Sequence, residues 1–144
     1  MSQTPAKGSM VVNSTPYSLE GVCKQILGHR RLKDFSQEDR FAVHLALEEA
    51  FNNAVEHGNG GDPAKTIQID YSIDDQRIEI HMTDQGQGFK PTKVPDPRLD
   101  ENLYLPRGRG LLLMRAYLDV IQYNPKGNSV HMVRLRHTDS AGTP

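Results

Sequence analysis

The chain has 144 residues, the length of one domain that can bury a hydrophobic core without metal ions or disulfide bonds. Its 17 basic and 18 acidic residues give a formal net charge of -1, which argues against broad binding to nucleic acids or anionic membranes. The single cysteine, Cys23, cannot form an internal disulfide, and no apolar run approaches the roughly 20 residues of a membrane span. These features predict a cytoplasmic protein without direct nucleic-acid or membrane binding.

The first half of the chain predicts a strand and two helices. Small and polar residues at 1–9 and 137–144 predict flexible tails around one domain at residues 10–136. The segment SMVVNST predicts a short strand, and the following segment YSLEGVCKQILGHRRLKD predicts a helix from its apolar spacing. Ser36, followed by acidic residues up to Asp39, is typical of a capping box that begins a second helix ending at Gly58.

The second half predicts four strands, a loop and a helix. The segments TIQIDYSI and RIEIHMTD alternate with period two and predict an antiparallel hairpin. Residues 90–107 are rich in proline and predict a long irregular loop. GRGLLLMRAYLD then predicts a helix, and DVIQYNPKGNSVHMVRLR predicts two strands joined at PKGN. This order predicts an α/β fold, a two-layer sandwich with a mixed, mostly antiparallel sheet and helices on one face.

The second helix carries a row of Glu49, Asn53 and His57, spaced by four residues. On a wheel of about 100° per residue, this row drifts from the polar edge of the helix toward the boundary of its apolar face. Glu49 therefore lies nearer to the core than Glu48, which is expected in open solvent, and Asn53 lies nearer than Asn52. The expected core residues of this helix are Val43, Ala46, Leu47, Ala50, Phe51, Ala54 and Val55.

A carboxylate and an amide one helical turn apart suit a magnesium-dependent reaction. A hard cation prefers oxygen ligands and keeps several waters, so the Asn53 oxygen and nucleotide phosphates could hold it together. Glu49 would then accept a proton from a hydroxyl or water nucleophile. Zinc fits poorly, because no cysteine and no second histidine lies at ligand spacing. The alternative is a boundary strip without function, and His57 also suits a helix C-terminus.

Two glycine segments follow. Asp84 ends a strand before Gly86 and Gly88, where backbone can approach a ligand closely, and its carboxylate could accept a hydrogen bond from the exocyclic amine of adenine. The alternatives are a simple turn or a calcium-like loop, although the later acidic ligands of an EF-hand are missing.

In the second segment, RGRGLLLM, Gly108 and Gly110 alternate with Arg107 and Arg109 at a helix start. Free amides and guanidinium groups there would form a phosphate cradle, and the alternative is a flexible hinge. Neither glycine pair has the spacing of a P-loop or a dinucleotide fingerprint.

The motifs EEAFNNAVEHG, TDQGQGF and RGRGLLLMRAYLD, in this order, resemble the nucleotide-binding domain of the GHKL (Bergerat-fold) ATPase and kinase superfamily. Within it, the chain is most similar to the anti-sigma factor serine/threonine kinases. The resemblance implies ATP and Mg²⁺ as cofactors, and it implies a homodimer. It also implies that the protein phosphorylates an anti-anti-sigma partner of the STAS type and sequesters a sigma factor.

The resemblance also implies roles for individual residues. Glu49 would be the general base and Asn53 the Mg²⁺ ligand, with His57 closing the motif. Asp84 would recognise adenine, and Gly86 and Gly88 would shape its pocket.

For the second glycine segment the resemblance implies that Gly108 and Gly110 are hinges of a lid formed by the loop before them. Arg107 and Arg109 are candidates for the positive group near the terminal phosphate, and Ser129 for a hydroxyl group beside adenine.

Other functions remain open from the sequence. One is an ATP-binding regulatory interaction module with little or no kinase activity. Another is the catalytic fragment of a two-component histidine kinase, but His29 lacks the acidic residue expected directly after a phospho-accepting histidine, which favours a surface role for it. A third is a calcium or zinc binder that does not use a nucleotide.

Overall fold

The computed structural model describes residues 4–86 and 114–137, and the architecture below is that of these residues. Two helices, α1 (Ser18–Leu27) and α2 (Gln37–Asn53), pack against one sheet. Its strands run in the order β1-β2-β3-β5-β4, and their four pairings are all antiparallel. The predicted two-layer α/β sandwich is confirmed. The strands are β1 (Ala6–Asn13), β2 (Thr66–Ile73), β3 (Arg77–Asp84), β4 (Val120–Tyr123) and β5 (Ser129–Leu135).

The core lies between α2 and one face of the sheet. The central strands β2 and β3 alternate between buried apolar and more exposed polar residues, so that one face of each is apolar. The predicted core face of α2 is also confirmed, because all seven expected residues are buried. Burial of each large aliphatic or aromatic side chain stabilises the fold by about 1.5–3 kcal/mol. The buried apolar residues of the central strands are Ile67, Ile69, Tyr71, Ile73, Ile78, Ile80 and Met82.

Residues 6–9 and His137, which the sequence assigns to flexible tails, contact the rest of the domain. β1 begins at Ala6, which pairs with Ile73, so residues 6–9 belong to the sheet. His137 donates its backbone N–H to the Asp39 carboxylate at 2.9 Å and is thereby attached to α2. The remaining tail residues, 1–3 and 138–144, lie outside the described residues.

The first predicted helix is divided in two. α1 ends at Leu27, and a short 3₁₀ turn follows at Arg30–Leu32. The backbone of His29 is extended, and its Nδ1 accepts a hydrogen bond from the Arg31 N–H at 3.0 Å. His29 therefore caps this turn. None of the helices within the described ranges is long and apolar enough to cross a membrane.

Both ends of α2 differ from a simple continuous helix. At its start the Ser36 hydroxyl accepts a hydrogen bond from the Asp39 N–H at 3.0 Å, as the capping pattern predicts. In a full capping box the Asp39 carboxylate would bond back to the Ser36 N–H, but here it contacts Arg134 and His137. At its end a π-helical turn spans Ala54–Gly58. Such turns often lie at functional sites, because they change the direction of the side chains that follow.

The last predicted helix is only partly within the described residues. Residues 114–117 are helical, and β4 and β5 follow with the predicted turn between them. The predicted loop at residues 90–107 lies outside the described part of the chain.

Candidate functional site

A small cleft opens where the end of α2 meets the ends of β3, β4 and β5. Its walls combine apolar side chains, which suit the face of a flat ring, with polar groups that can select the edge of that ring. The polar residues come from four separate parts of the chain. The described residues that line the cleft are Ala50, Asn53, Ala54, Met82, Asp84, Tyr123, Asn128, Ser129 and Val130.

Asp84 lies at the end of β3 and is 8% exposed. Burial raises the pKa of its carboxyl, and the hydrogen bond from the Gly86 N–H and the charges of Lys65 and Lys126 oppose this without cancelling it. The Gly86 N–H donates to Oδ1 at 2.8 Å. The carboxylate is therefore oriented by the chain, and its desolvation is only partly offset.

Two glycines pack tightly around Asp84. A Cβ atom on Gly58 would overlap the Asp84 carboxylate, and a Cβ atom on Gly86 would overlap the Gly58 carbonyl oxygen. Neither glycine is among the described residues with positive φ, so glycine is required here by space and not by backbone conformation. The sequence predicts a close approach at Gly86 but treats Gly58 only as the end of a helix. The role of Gly58 depends on a contact with a distant strand.

Asn59 joins the turn after α2 to the central strands. It is 1% exposed, its Oδ1 accepts from the Gln85 N–H at 2.8 Å, and its Nδ2 donates to the Thr66 carbonyl at 3.1 Å. The residue therefore holds the loop beside Asp84 in place. Asn59 directly follows the motif EEAFNNAVEHG, and the sequence does not distinguish it from an ordinary turn residue.

Asn53, the last residue of α2, is partly buried, whereas Asn52 is exposed. The choice of Asn53 from the helical wheel is thus in agreement with the structure. Its side chain and that of Tyr123 on β4 line the same cleft. Burial raises the pKa of Tyr123, the hydrogen bond from Asn53 lowers it, and the charge of Asp84 raises it further, with a net increase. The sequence does not indicate this tyrosine as a site residue.

Glu49 lies one helical turn before Asn53 and is partly buried. Burial and, to a smaller extent, the charge of Glu48 raise the pKa of its carboxyl. A raised pKa is common for a general base, because the group binds a proton more readily. Glu48 is half-exposed, with Oε2 3.8 Å from His44 Nε2, and is therefore not in fully open solvent as expected.

His57 lies within the π-helical turn, and its Nε2 is 3.6 Å from Glu56 Oε2. It is not among the described residues that line the cleft. The wheel assumes a regular α-helix through this position, and the π-helical turn changes the direction of the side chain. A binding role for His57 stays a prediction.

Ser129 lies at the edge of the cleft, but its hydroxyl is 2.9 Å from that of Thr83, its partner across the strands. Thr83 precedes Asp84 on β3, so these two side chains point to opposite faces of the sheet. The neighbouring Asn128 accepts the Asp84 N–H with its backbone oxygen at 2.9 Å, and its Nδ2 lies 3.5 Å from the Asp84 carbonyl. Asn128 therefore holds the end of β3 beside the cleft, and contact of the Ser129 hydroxyl with adenine stays a prediction.

The other predicted site residues, Gly88, Arg107, Gly108, Arg109 and Gly110, lie outside the described residues. Their roles in a pocket, a lid and a phosphate cradle stay predictions.

The donor groups of the cleft fit Mg²⁺ held mainly by a nucleotide. Among the described residues no group of three His, Cys, Asp or Glu could hold a metal ion. Mg²⁺ is commonly bound by one or two protein oxygens together with phosphates and waters. The amide oxygen of Asn53 is a ligand of this type.

The sequence profile of the histidine kinase-like ATPase domain matches residues 12–134. The chain belongs to this family. The match covers most of the chain and confirms the resemblance to the GHKL superfamily, and membership implies the use of ATP.

Relatives with assigned functions are similar over most of their length. The serine/threonine-protein kinase BtrW of Bordetella bronchiseptica is 31% identical over 116 residues, which cover 78% of this chain and 81% of that protein. The serine-protein kinase RsbW of Listeria innocua is 27% identical over 139 residues, which cover 92% of this chain and 83% of that protein. The anti-sigma F factor of Oceanobacillus iheyensis is 26% identical over 111 residues, which cover 70% of this chain and 73% of that protein.

Proposed function

We propose that the protein is an ATP-dependent serine/threonine kinase and anti-sigma factor. It phosphorylates an anti-anti-sigma protein of the STAS type and sequesters a sigma factor. The observation that carries the proposal is the arrangement around one cleft, where Asp84 and Asn53 line the walls and Glu49 lies one helical turn away. The names of the relatives, two protein kinases and an anti-sigma factor, support the same activity.

The cleft binds the adenine end of ATP. The Asp84 carboxylate accepts a hydrogen bond from the exocyclic amine, while the Gly86 N–H fixes the orientation of the carboxylate. The apolar residues Ala54 and Met82 line the same space and exclude water from the ring. Asn53 would hold Mg²⁺ through its amide oxygen, and the ion would neutralise charge on the phosphates.

Glu49 acts on the protein substrate. The hydroxyl oxygen of a serine or threonine attacks the γ-phosphorus, and the bond to the oxygen that bridges the β- and γ-phosphates breaks. ADP leaves, and the Glu49 carboxylate takes the proton of the hydroxyl group. Partial burial raises the pKa of Glu49, which favours its acceptance of this proton.

Replacement of Glu49 by glutamine tests the proposal. A general base contributes about 10²- to 10⁴-fold in rate, so Glu49→Gln should lose this much transfer of labelled phosphate from ATP to co-purified STAS-type proteins. ATP affinity should stay within about two-fold, since the side chain keeps its shape. Glu48→Gln, on the neighbouring half-exposed residue, is the matched control and should retain phosphotransfer.

Unchanged phosphotransfer in the Glu49→Gln protein would contradict the role of Glu49. A wild-type protein that binds ATP and changes its partner affinity without transferring phosphate would instead support the ATP-responsive interaction module.

We expect the protein to be cytoplasmic, in keeping with its single cysteine. We expect it to form a homodimer, as the family resemblance implies. Sedimentation of the purified protein with and without ATP tests the dimer, since a monomeric mass in both conditions would contradict it.

A further inference from the structure

Another cavity lies at the opposite end of the sheet from the cleft. It has a volume of about 320 Å³ and is formed by the segment between α1 and α2, the turn between β2 and β3, and the residue that follows β5. The strand β3 runs from this cavity to the cleft, and its eight residues span about 25 Å. The cavity is therefore separate from the proposed adenine site. Its lining residues are Arg30, Arg31, Lys33, Asp34, Phe35, Asp75 and Arg136.

The lining of this basic cavity has a charge that differs from that of the whole chain. Four of the 17 lysines and arginines line it, against two of the 18 acidic residues, which leaves a local charge of +2. The chain as a whole has a formal net charge of -1. A local excess of positive charge in a concave surface attracts anionic groups, even where the net charge of the protein is close to zero.

The fold holds two of these cations in place. The guanidinium carbon of Arg136 lies 5.7 Å from the centroid of the Phe35 ring, and Nη1 donates to the Asp75 carbonyl at 3.3 Å. Arg31 donates through Nη1 to the Thr4 carbonyl at 3.0 Å, while its Nη2 lies 3.6 Å from Asp75 Oδ1 and makes no hydrogen bond among the described residues. Because 3.6 Å exceeds a hydrogen-bond length, Asp75 satisfies Arg31 only in part. Two fixed guanidinium groups lower the entropy cost of binding a ligand.

The other two cations, Arg30 and Lys33, are exposed. Within residues 4–86 and 114–137, neither side chain takes part in a hydrogen bond or an ion pair. Their charges are therefore not neutralised by the described part of the chain. Exposed side chains without such contacts contribute little to folding, so both can be replaced without loss of the fold.

The arrangement of the charges indicates the class of ligand. A single phosphate ion is bound by donors that converge on one point, whereas these cations lie on separate segments of the chain. A guanidinium pairs well with a carboxylate through two parallel hydrogen bonds, so several spaced carboxylates match this set. Asp34 and Asp75 would repel the continuous charge of a nucleic-acid backbone, but a peptide can place neutral residues beside them. The cavity therefore fits an acidic peptide best.

We propose that the basic cavity docks an acidic segment of a partner protein. Its Asp or Glu carboxylates pair with Arg30 and Lys33 and with the two guanidinium groups that the fold holds in place. Such complementary charge mainly raises the rate of encounter and selects the partner. The inference goes beyond the proposed function and does not depend on it, because neither ATP nor phosphotransfer enters it.

Binding of fluorescein-labelled hexaglutamate, followed by fluorescence anisotropy, tests the inference. The double variant Arg30→Glu, Lys33→Glu replaces attraction by repulsion at two positions and should lose about ten-fold or more in affinity. The matched control is Lys24→Glu with Arg115→Glu, which changes the net charge equally at two exposed residues outside the cavity and should lose less than about three-fold. Wild-type affinity should also fall as NaCl rises from about 0.05 to 0.5 M.

Cross-linking locates the site independently of any variant. Hexaglutamate with a photoreactive group at its N-terminus should label residues 30–36 or the segments around Asp75 and Arg136, as read by mass spectrometry. Saturating ADP with Mg²⁺ should leave hexaglutamate affinity within about two-fold, because the cavity and the cleft lie at opposite ends of β3.

Several results would overturn the inference. They are an absence of wild-type binding up to about 1 mM hexaglutamate, equal losses in the two double variants, and labelling confined to other segments. Displacement of the peptide by ADP would place it in the cleft. Tighter binding of inorganic phosphate or of an oligothymidylate than of hexaglutamate would assign the cavity to phosphate groups or to nucleic acid.

Discussion

Two buried aspartates lie near opposite ends of α2, and their surroundings differ. Asp39, in the first turn, is 0% exposed, and Asp84, beside the last turn, is 8% exposed. Burial raises the pKa of Asp39, but hydrogen bonds from His137 and Arg134 outweigh this and lower the pKa overall. For Asp84 burial is the dominant cause, and the pKa is raised. The desolvation of the Asp39 carboxylate is therefore offset within the chain, whereas that of the Asp84 carboxylate is only partly offset.

This difference separates the structural role of Asp39 from the binding role proposed for Asp84. The Asp39 carboxylate accepts hydrogen bonds from Arg134 Nε at 2.8 Å and from the His137 N–H at 2.9 Å, so its charge and its acceptor oxygens are satisfied within the protein. Arg134 also donates through Nη1 to the Tyr117 carbonyl at 2.6 Å and thereby attaches the helical residues 114–117. Asp84 combines incomplete compensation with a position on a cleft, which is typical of a residue that meets a ligand.

The largest predicted effect concerns the structural aspartate. Arg134→Met leaves the Asp39 carboxylate buried without its main cation, and the loss of one member of a buried pair costs about 3–5 kcal/mol. The free energy of unfolding in urea should fall by this amount. Arg77→Met is the control, since Arg77 pairs with Glu79 at the surface and such a pair contributes about 0–1 kcal/mol. Equal losses in the two variants would contradict the structural role of the Asp39 cluster.

The second prediction concerns Asp84, the aspartate of the proposed adenine site, where ATP affinity should fall while stability is kept or rises. Asp84→Asn keeps an oxygen for the Gly86 N–H but removes the charge. Loss of a charge-assisted hydrogen bond to adenine, about 1.5–3 kcal/mol, should weaken ATP binding by roughly ten- to a hundred-fold in calorimetry. The thermal midpoint without nucleotide should stay equal or rise, because a poorly compensated buried charge is gone. Unchanged ATP affinity would show that the adenine assignment is wrong.

The smallest predicted effect is in pH dependence, and it distinguishes the two aspartates directly. The pKa of the Asp84 carboxyl is raised in the folded protein, so its ionised form destabilises the fold at neutral pH. This destabilisation disappears as the pH falls from the raised pKa to the ordinary value of 3.8. Asp39 has a lowered pKa, so its stabilisation persists down to 3.8 and is lost only below it.

Urea unfolding of the wild type, Asp84→Asn and Asp39→Asn between pH 7 and 3 measures both contributions, as about 1.4 kcal/mol for each unit of pKa difference. The stability difference between the wild type and Asp84→Asn should disappear at a higher pH than that between the wild type and Asp39→Asn. The reverse order would contradict the comparison of the two aspartates.

Much of the fold follows from local patterns. Periodicity alone identified the core face of α2, the hairpin of β2 and β3, and the later strand pair. The same periodicity selected Asn53 over Asn52, because a regular helix determines where each side chain points. Helical periodicity does not determine the side-chain directions of His57 and Ser129, which depend on a π-helical turn and on the alternation of a strand.

The sequence by itself determined the two layers, the core face of α2, and a carboxylate followed by glycine at the end of a strand. These depend on backbone geometry over a few neighbouring residues. Only the tertiary structure decided that Gly58 packs against Asp84, that Tyr123 lies in the same cleft as Asn53, and that Asp39 pairs with Arg134, 95 residues away. Such contacts depend on strand register and on the packing of α2 against the sheet, which no local pattern specifies.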